Sequence, residues 1–582
     1  MLPPEVQRIV LLIGLAATGY LMILAWNDDM EAAKTKTEYG TELPLTDSTY
    51  ATPPEVGSVS SDEQPNVPQP AQQIASEIPQ VQEVDLDTAT PVVAPAQPSS
   101  SADRFVKVTS SNLVLWIDLV GGDVVRTELP EFPVSLEQQD VPFLLLDKSH
   151  SQHYVAESGL VGKHGPDAKG RPTYVSEQSE VSIGSGETRS VVLSTQTADG
   201  VLVEKIFTVR DGDYLVDVTH KYHNTTSNTH QAALYAQIKR DSRPPTTDES
   251  FALAPQPYLG AAFTTPEENY LKIDFDDIDD DGEMRVTEQG GWVAFLQHYF
   301  LTAWIAPTED TNNFRALRLR NGLYLFGFSS PAKLIEAGEV GEWKAQFYAG
   351  PKDQKRLEEI APNLNLTVDY GFLWWVAIPL FYLLDWLYGI VGNWGVAIIL
   401  LTIVVKALLY PLSAAGYKSM ANMRGVAPQM KKLQERYAGD REKLSKEMMS
   451  LYQKEGANPL GGCIPMLLPM PIFIALYWVL FESVELRQAP FILWIEDLAV
   501  MDPFFILPLA MGASMYWMQT LNPQVGDPMQ QRMMKMMPIM FTVLFLFFPA
   551  GLVLYWLVNN ILSVAQQQYV YRKADQAQAA KA

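Results

Sequence analysis

Five stretches of this chain carry no charged side chain over lengths that few water-soluble folds could bury: residues 9–26, 386–405, 458–481, 503–526 and 536–571. Crossing about 30 Å of hydrocarbon takes roughly 20 helical residues, and inside that layer only helices and closed barrels satisfy their own backbone. The expected fold class is therefore a polytopic α-helical membrane protein. The last stretch has 36 residues, about 54 Å as one helix, and Pro549-Ala550-Gly551 supplies a turn within it. Splitting it there predicts six transmembrane helices. An ordinary hydrophobic content of 47% conceals this pattern, because the apolar runs lie at the two ends of the 582-residue chain.

Flanking charge sets the orientation. Arg8 precedes the first run and Asp28 and Asp29 follow it, which places the N-terminus in the cytoplasm. The run ends Met22-Ile23-Leu24-Ala25-Trp26 without a small-residue cleavage site, so residues 1–26 read as an uncleaved anchor. Residues 370–388 could span or lie in the interface with their Trp and Tyr rings at headgroup level. If they span, the hairpin 418–455, with nine Lys/Arg against five Asp/Glu, lands outside. If they are interfacial, that hairpin and Arg572 and Lys573 are cytoplasmic, and the segment 482–502, with five acids and one Arg, is outside. The second solution fits every loop. It gives an interfacial amphipathic helix over 362–390, a five-helix core over 391–571, a cytoplasmic tail over 572–582, and residues 27–370 on the far side.

Residues 27–103 are rich in Pro, Gln, Ser, Thr and Ala and hold fourteen acids against Lys34 and Lys36, too polar to form a core. They read as a disordered acidic tether. From residue 104 the apolar period changes to two, as in Leu113, Leu115, Ile117 and Leu119 ahead of Gly121-Gly122, with further turns at Asp199-Gly200 and Asp211-Gly212. Residues 104–361 are expected to form a large all-β sandwich ending in a short helix. Asp277, Asp279, Asp281, Gly282 and Glu288 have the spacing of a calcium loop. Because 270–275 reads as a strand and Gln289-Gly290-Gly291 would break an exiting helix, a solvated hairpin is expected instead. His220 and His223 would face opposite sides of a strand and make no metal pair.

In the hairpin 418–455, Met423, Val426, Met430, Leu433 and Tyr437 form one helical stripe and Leu444, Met448, Leu451 and Tyr452 another, separated by Ala438-Gly439-Asp440. Two antiparallel helices are expected. Their basic excess suits anionic lipid, a ribosome or another translocation component, or simply a solvated face. Net charge is -24, from 43 Lys/Arg and 67 Asp/Glu, which disfavours nucleic acid. Cys463 is the single cysteine, so no internal disulfide forms. No phosphate-binding G-x-x-x-x-G-K-[ST] loop occurs and the apolar runs contain no histidine. The chain is thus expected to be no enzyme and to need no metal or other cofactor.

One residue breaks the apolar pattern. Lys406 interrupts IILLTIVVKALLYPL, and a charge at the bilayer centre costs about 2.5–3.5 kcal/mol even on the lenient insertion scale. Asn393 and Pro411 bracket this span. Thr402, Ser514, Gln519, Asn559, Asn560 and Ser563 offer hydroxyls and amides, but no acid is placed to neutralise the lysine. A hydrated cavity around a cation is the expectation, with local thinning of the bilayer suggested by a short fifth span, 536–548. A small-solute transporter that binds its substrate at Lys406 is the alternative, although no internal repeat supports it; an anchored carbohydrate enzyme is a third reading.

NPLGGCIPMLLPMPIFIALY (458–477), SVELRQAPF (483–491), DPMQQ (527–531) and FPAGLVLYWLVNN (548–560) resemble the YidC family of membrane-protein insertases. The resemblance covers anchor, tether, β domain, interfacial helix and five-helix core in order. It implies a bacterial inner-membrane protein with a periplasmic β-supersandwich and a hydrophilic groove open to cytoplasm and lipid. Groove positions fall on Lys406, where Arg is common, and on Thr402, Tyr555 and Trp556; the apolar exit path falls on Phe473, Met511 and Leu544. The implied partners are nascent membrane proteins, the Sec translocon, the lipid bilayer, and the ribosome and signal-recognition pathway through 418–455.

Overall fold

The computed structural model describes residue 79 and residues 104–149, 152–243, 257–437, 439–454, 469–521 and 528–579. The expected anchor, most of the tether, Cys463 and the first half of the 458–481 run lie outside these. The described residues from 104 onward belong to one compact unit.

Among the described residues, nineteen strands between Phe105 and Pro351 build two stacked sheets of eleven and eight strands. The alternation at Leu113, Leu115 and Ile117 buries all three side chains at 1% exposure or less. Gly121 and Gly122 follow with φ of 86° and 61°, a left-handed turn closed to most residues with a Cβ. The turns at Gly200 and Gly212 join the antiparallel strands Thr188–Gln196, Leu202–Arg210 and Leu215–His223. The inner faces of both sheets share one apolar core that includes Phe207, Trp304, Trp343 and Phe347. Within it lies an ionic cluster that hydrophobic periodicity does not reveal. Arg171 donates to the carboxylates of Asp123 and Asp167 and to the hydroxyl of Tyr235. Lys205 reaches across from the other sheet to the Gly121 and Ser158 carbonyls at 3.2 and 2.9 Å, and desolvation pushes its ammonium down to about 7.

The acidic segment after residue 274 is not a hairpin. Phe275–Asp281 is a helix, α1, opened by a capping box in which Asp274 and Asp277 accept each other's backbone N–H. The strong local cap outweighs the poor helix propensity of the aspartates. Asp279 accepts from Arg318 and Tyr324 at 3.0 and 2.8 Å, so its side chain is turned to the neighbouring strands. His220 is buried and His223 half-buried on opposite faces of their strand.

Beyond the β domain come α2 (Gln354–Ile360), α3 (Trp374–Val391), α4 (Trp394–Leu408), α5 (Tyr410–Arg436), α6 (Arg441–Lys454), α7 (Pro469–Glu482), α8 (Ile506–Leu521), α9 (Pro528–Phe545) and α10 (Ala550–Ala579). The 386–405 run is broken at Gly392, left-handed at φ 65°, and Asn393 caps α4 by accepting from Val396 N. Pro411 sits in the first turn of α5, which is bent 67° from α4. The break at Pro549-Ala550-Gly551 falls where the sequence places it, between α9 and α10. Two lengths differ from expectation. α9 has 18 residues because its helix continues back through Lys535 and Arg532 to Pro528, so only its uncharged part is short. α10 has 30 residues and runs on through the expected tail.

By length and composition, Gly371–Val391 is the described helix that qualifies alone as a membrane span, and α4 with the first part of α5 qualifies as a bent pair. Yet α3 carries Asp385, whose carboxylate accepts from Lys355 of α2 at 2.6 Å. It buries Ala377, Phe381 and Leu384 while exposing Trp374, Trp375 and Trp386.

Contacts between helix ends give the core a regular alternation. Asn393 Nδ2 donates to Phe491 O at 2.9 Å, Ala550 N to Val500 O at 2.7 Å and Gly551 N to Leu498 O at 2.9 Å. The starts of α4 and α10 therefore meet the segment that ends α7 and starts α8. This is also the end that holds the β domain, through Lys352 Nζ to Glu482 at 2.9 Å and Arg487 Nη2 to Pro133 O at 2.7 Å. At the opposite end Tyr571 of α10 packs with Tyr417 and Met420 of α5. Met423, Val426, Met430 and Tyr452 join α5 to α6 as the stripes predict; Leu433 and Leu444 are only half-buried and outside that cluster. Gly512 lets α8 approach α9 closely, since a Cβ there would collide with the Thr542 hydroxyl.

His298 sits at the junction, its ring Nε2 2.9 Å from Phe481 O. Burial, with Lys352 and Arg487 nearby, pushes it down to about 3 from an ordinary 6.5. The folded protein keeps this ring neutral where the unfolded chain takes up a proton, so its contribution is present above about pH 6.5 and is lost as pH falls toward 3. His298→Gln should flatten that part of the pH dependence of thermal unfolding in detergent. An unchanged slope would show that the loss arises elsewhere.

Candidate functional site

Lys406 lies in the last turn of α4 at 6% exposure, one turn beyond Thr402 at 1%. An Asn cap opens α4, and its long apolar run satisfies its backbone within the helix. Its Nζ donates to Ser563 Oγ of α10 at 2.7 Å, and Ser563 Oγ donates in turn to Asn559 O at 2.7 Å. No ion pair to Lys406 occurs among the described residues. One helical turn away, Asn560 Nδ2 donates to Ser514 Oγ of α8 at 3.0 Å. A polar seam thus joins α4, α10 and α8 through neutral partners. Thr402 faces inward, but its hydroxyl donates to Ile398 O at 2.7 Å within its own helix.

Tyr555 and Trp556, on the same helix as Ser563 but two turns earlier, belong to an aromatic cluster. Phe473 of α7 meets Trp556 edge-on at 4.3 Å between ring centres and Tyr555 at 6.3 Å, and Phe545 and Phe541 of α9 lie 5.5 and 6.3 Å from Trp556. The indole Nε1 of Trp556 is buried without a hydrogen-bond partner. Met511 is fully buried in α8, and Leu544, 37% exposed, points away from the cluster that its neighbour Phe545 enters. The structure therefore groups two of the expected groove residues with Phe473, while Ser563, which holds Lys406, lies two turns further along α10. Phe541 and Phe545 are additional members, and their apolar run gave no signal to distinguish one side of α9 from the other.

The junction was also unexpected from sequence. Glu482 and Asp502 count as loop acids by position, yet both are buried: Glu482 pairs with Lys352, and Asp502 accepts from Trp494 Nε1 at 3.0 Å and Leu507 N at 2.7 Å. Desolvation also pushes Glu485 up to about 7.

A helical bundle with an internal lysine held on a serine hydroxyl, bearing a two-sheet β domain at one end, defines a class of membrane-embedded protein with a large domain on one side. The family description "60Kd inner membrane protein" matches residues 386–578, and "YidC periplasmic domain" matches residues 105–383. "Membrane protein insertase YidC" of Stutzerimonas stutzeri is 46% identical over 98% of this chain and 99% of its own, and that of Azotobacter vinelandii is 45% identical over the same shares. A solved structure described as an active YidC insertase with the first transmembrane domain resolved is 17% identical, covers 81% of this chain and 93% of its own, and has a TM-score of 0.36. The chain belongs to the YidC family: an inner-membrane protein with a periplasmic β domain. The transporter alternative finds no support among these relatives.

The Lys406–Ser563 contact is directly testable. Ser563→Ala leaves a buried ammonium without its acceptor and should cost about 1–3 kcal/mol in unfolding of the detergent-solubilised protein. Adding Lys406→Met should recover much of that loss. Strict additivity of the two substitutions would mean that the side chains do not interact.

Proposed function

We propose that this chain inserts nascent membrane proteins and assists their folding, admitting a hydrophobic segment beside the aromatic cluster while its polar flank is drawn toward Lys406. The observation that carries the reading is Lys406 itself: a buried cation held by a neutral hydroxyl, with no carboxylate among the described residues paired to it, in a chain whose relatives are named insertases. A lysine here keeps the charge that attracts acidic or polar flanks but not the paired geometry by which Arg grips a carboxylate. The site is thus suited to transient attraction rather than capture.

Transfer needs no nucleotide. Burial of apolar surface in lipid supplies about 25 cal/mol per Å², and an acidic flank moving to a positive exterior gains about 2.3 kcal/mol per charge per 100 mV. Residues 362–390 act as the interfacial element, an assignment supported by the Lys355–Asp385 pair and the exposed Trp row on α3. Six helices then cross the membrane, the anchor being the first, and both termini are cytoplasmic. The α5–α6 hairpin is the docking element for the ribosome, the signal-recognition pathway or the Sec translocon. The chemistry involves no bond making by the chain and no cofactor.

Photocrosslinking probes at Thr402, Met511 and Trp556 should capture the hydrophobic segment of a stalled nascent membrane protein. In cells depleted of the native insertase, Lys406→Ala should reduce insertion of substrates with acidic translocated tails several-fold, and Lys406→Arg should preserve it. Normal insertion by the alanine variant would remove Lys406 from the pathway.

A further inference from the structure

The segment that joins α7 to α8 inverts the usual distribution of polarity. With five acids and one Arg over 482–502 its composition belongs in water, yet its charges turn inward. Glu482 is buried against Lys352, Asp502 is fully buried, and Asp497 accepts Ala499 N at 2.7 Å. Arg487 reaches away to Pro133 O of the β domain at 2.7 Å. Of the five acids only Glu496 is exposed. Large apolar side chains point outward instead: Leu493 is 80% exposed and Phe504 64%, and Ile492, Met501, Phe505 and Ile506 are exposed as well. An apolar surface of this kind marks a site of contact with something other than water.

Backbone geometry points the same way. Leu493 and Phe505 both hold a φ of 57°, a left-handed conformation that a Cβ makes costly and that Gly or Asn adopts more readily. Asp502 fixes Phe505: its carbonyl accepts Phe505 N at 3.1 Å, and its carboxylate accepts Phe504 N at 3.0 Å and Leu507 N at 2.7 Å. Leu493 stands at the tip of a turn closed by Phe491 N to Ile495 O at 2.9 Å and Ile495 N to Ile492 O at 3.2 Å. At 80% exposure, burial within the described protein does not offset its strain; contact with hydrocarbon would. The surroundings are those of a lipid surface. Leu509 and Trp517 are exposed on the same face of α8 as Ile506, so the apolar surface runs on along a membrane helix. On its other side the turn packs by the Phe491 ring on Gly395 of α4, just past the end of α3, where Trp386 and Ile390 are exposed. With the acids turned inward, little repels headgroup phosphates. The main chain is bonded within the segment and to the starts of α4 and α10, so the segment meets the boundary between headgroups and acyl chains with side chains alone.

We propose that the segment 490–506 is a lipid-binding surface, seated in the periplasmic leaflet with Ile492, Leu493 and Phe504 among the upper acyl chains. The test uses the full chain in lipid nanodiscs, with Cys463→Ser and a single nitroxide label at Leu493→Cys. Leu509→Cys on α8 serves as the reference in hydrocarbon, and Lys344→Cys, whose side chain is 73% exposed on the β domain, as the reference in water. Power-saturation EPR compares collisions with oxygen, which partitions into lipid, and with a water-soluble nickel chelate. The oxygen-to-nickel ratio at Leu493 should exceed that at Lys344 several-fold and approach that at Leu509. Ile492→Cys repeats the measurement at a second exposed position, should the first label disturb the turn. Nickel access equal to that at Lys344 would overturn the proposal by placing the segment in water. Shielding from both reagents would overturn it equally, since the surface would then be covered by protein, whether residues 1–26 or a second copy of the chain.

Discussion

The irregular segment between α7 and α8 holds the molecule together. Most of its residues are in neither helix nor strand, so its carbonyls are free to serve as acceptors. Phe491 O takes the side chain of Asn393 at the start of α4, while Val500 O and Leu498 O take the first backbone donors of α10. Asp502 caps α8, and Glu482 and Arg487 fasten the β domain. Helix starts leave four N–H groups unsatisfied, an expense that lipid makes severe; collecting three of them on one piece of loop also fixes where those helices stand. The β domain is consequently fastened to the end of α7 and the same loop segment that positions the bundle.

Lys352 and Glu482 illustrate the cost and use of that arrangement. Their side chains are only 3% and 5% exposed, and removing one partner of such a pair is far more damaging than replacing both. Burial of this kind selects one docking geometry over others, since a rotation of the β domain that separated the pair would strand two charges.

Much of this architecture was legible in the order of residues. Charge-free runs marked the helices, Pro549-Ala550-Gly551 marked the α9–α10 break, and period-two patterning with Gly turns marked the β domain, because each reflects local sterics or solvent alone. What escaped was what depends on distant partners. The capping box that turned the acidic segment into α1 overrode its poor propensity, and Lys205 and Arg171 are polar residues inside a core that periodicity assigns to apolar ones. Lys406 stood out by its neighbours in the chain, whereas its partner Ser563 was one of several equivalent hydroxyls until α4 and α10 were packed side by side. The motifs of the family located Tyr555, Trp556 and Phe473 but did not show that they touch.

α10 spans 30 residues, about 45 Å, without proline or a break. Near its middle Ser563 holds the lysine; eight residues on, Tyr571 packs on Tyr417, with the Arg424 guanidinium 4.7 Å above its ring. A stiff rod anchored at the α7–α8 segment and gripped at its far end by α5 behaves as a lever. The acceptor of Lys406 and the contact with the α5–α6 hairpin are therefore carried by one uninterrupted helix, so neither can be placed without placing the other.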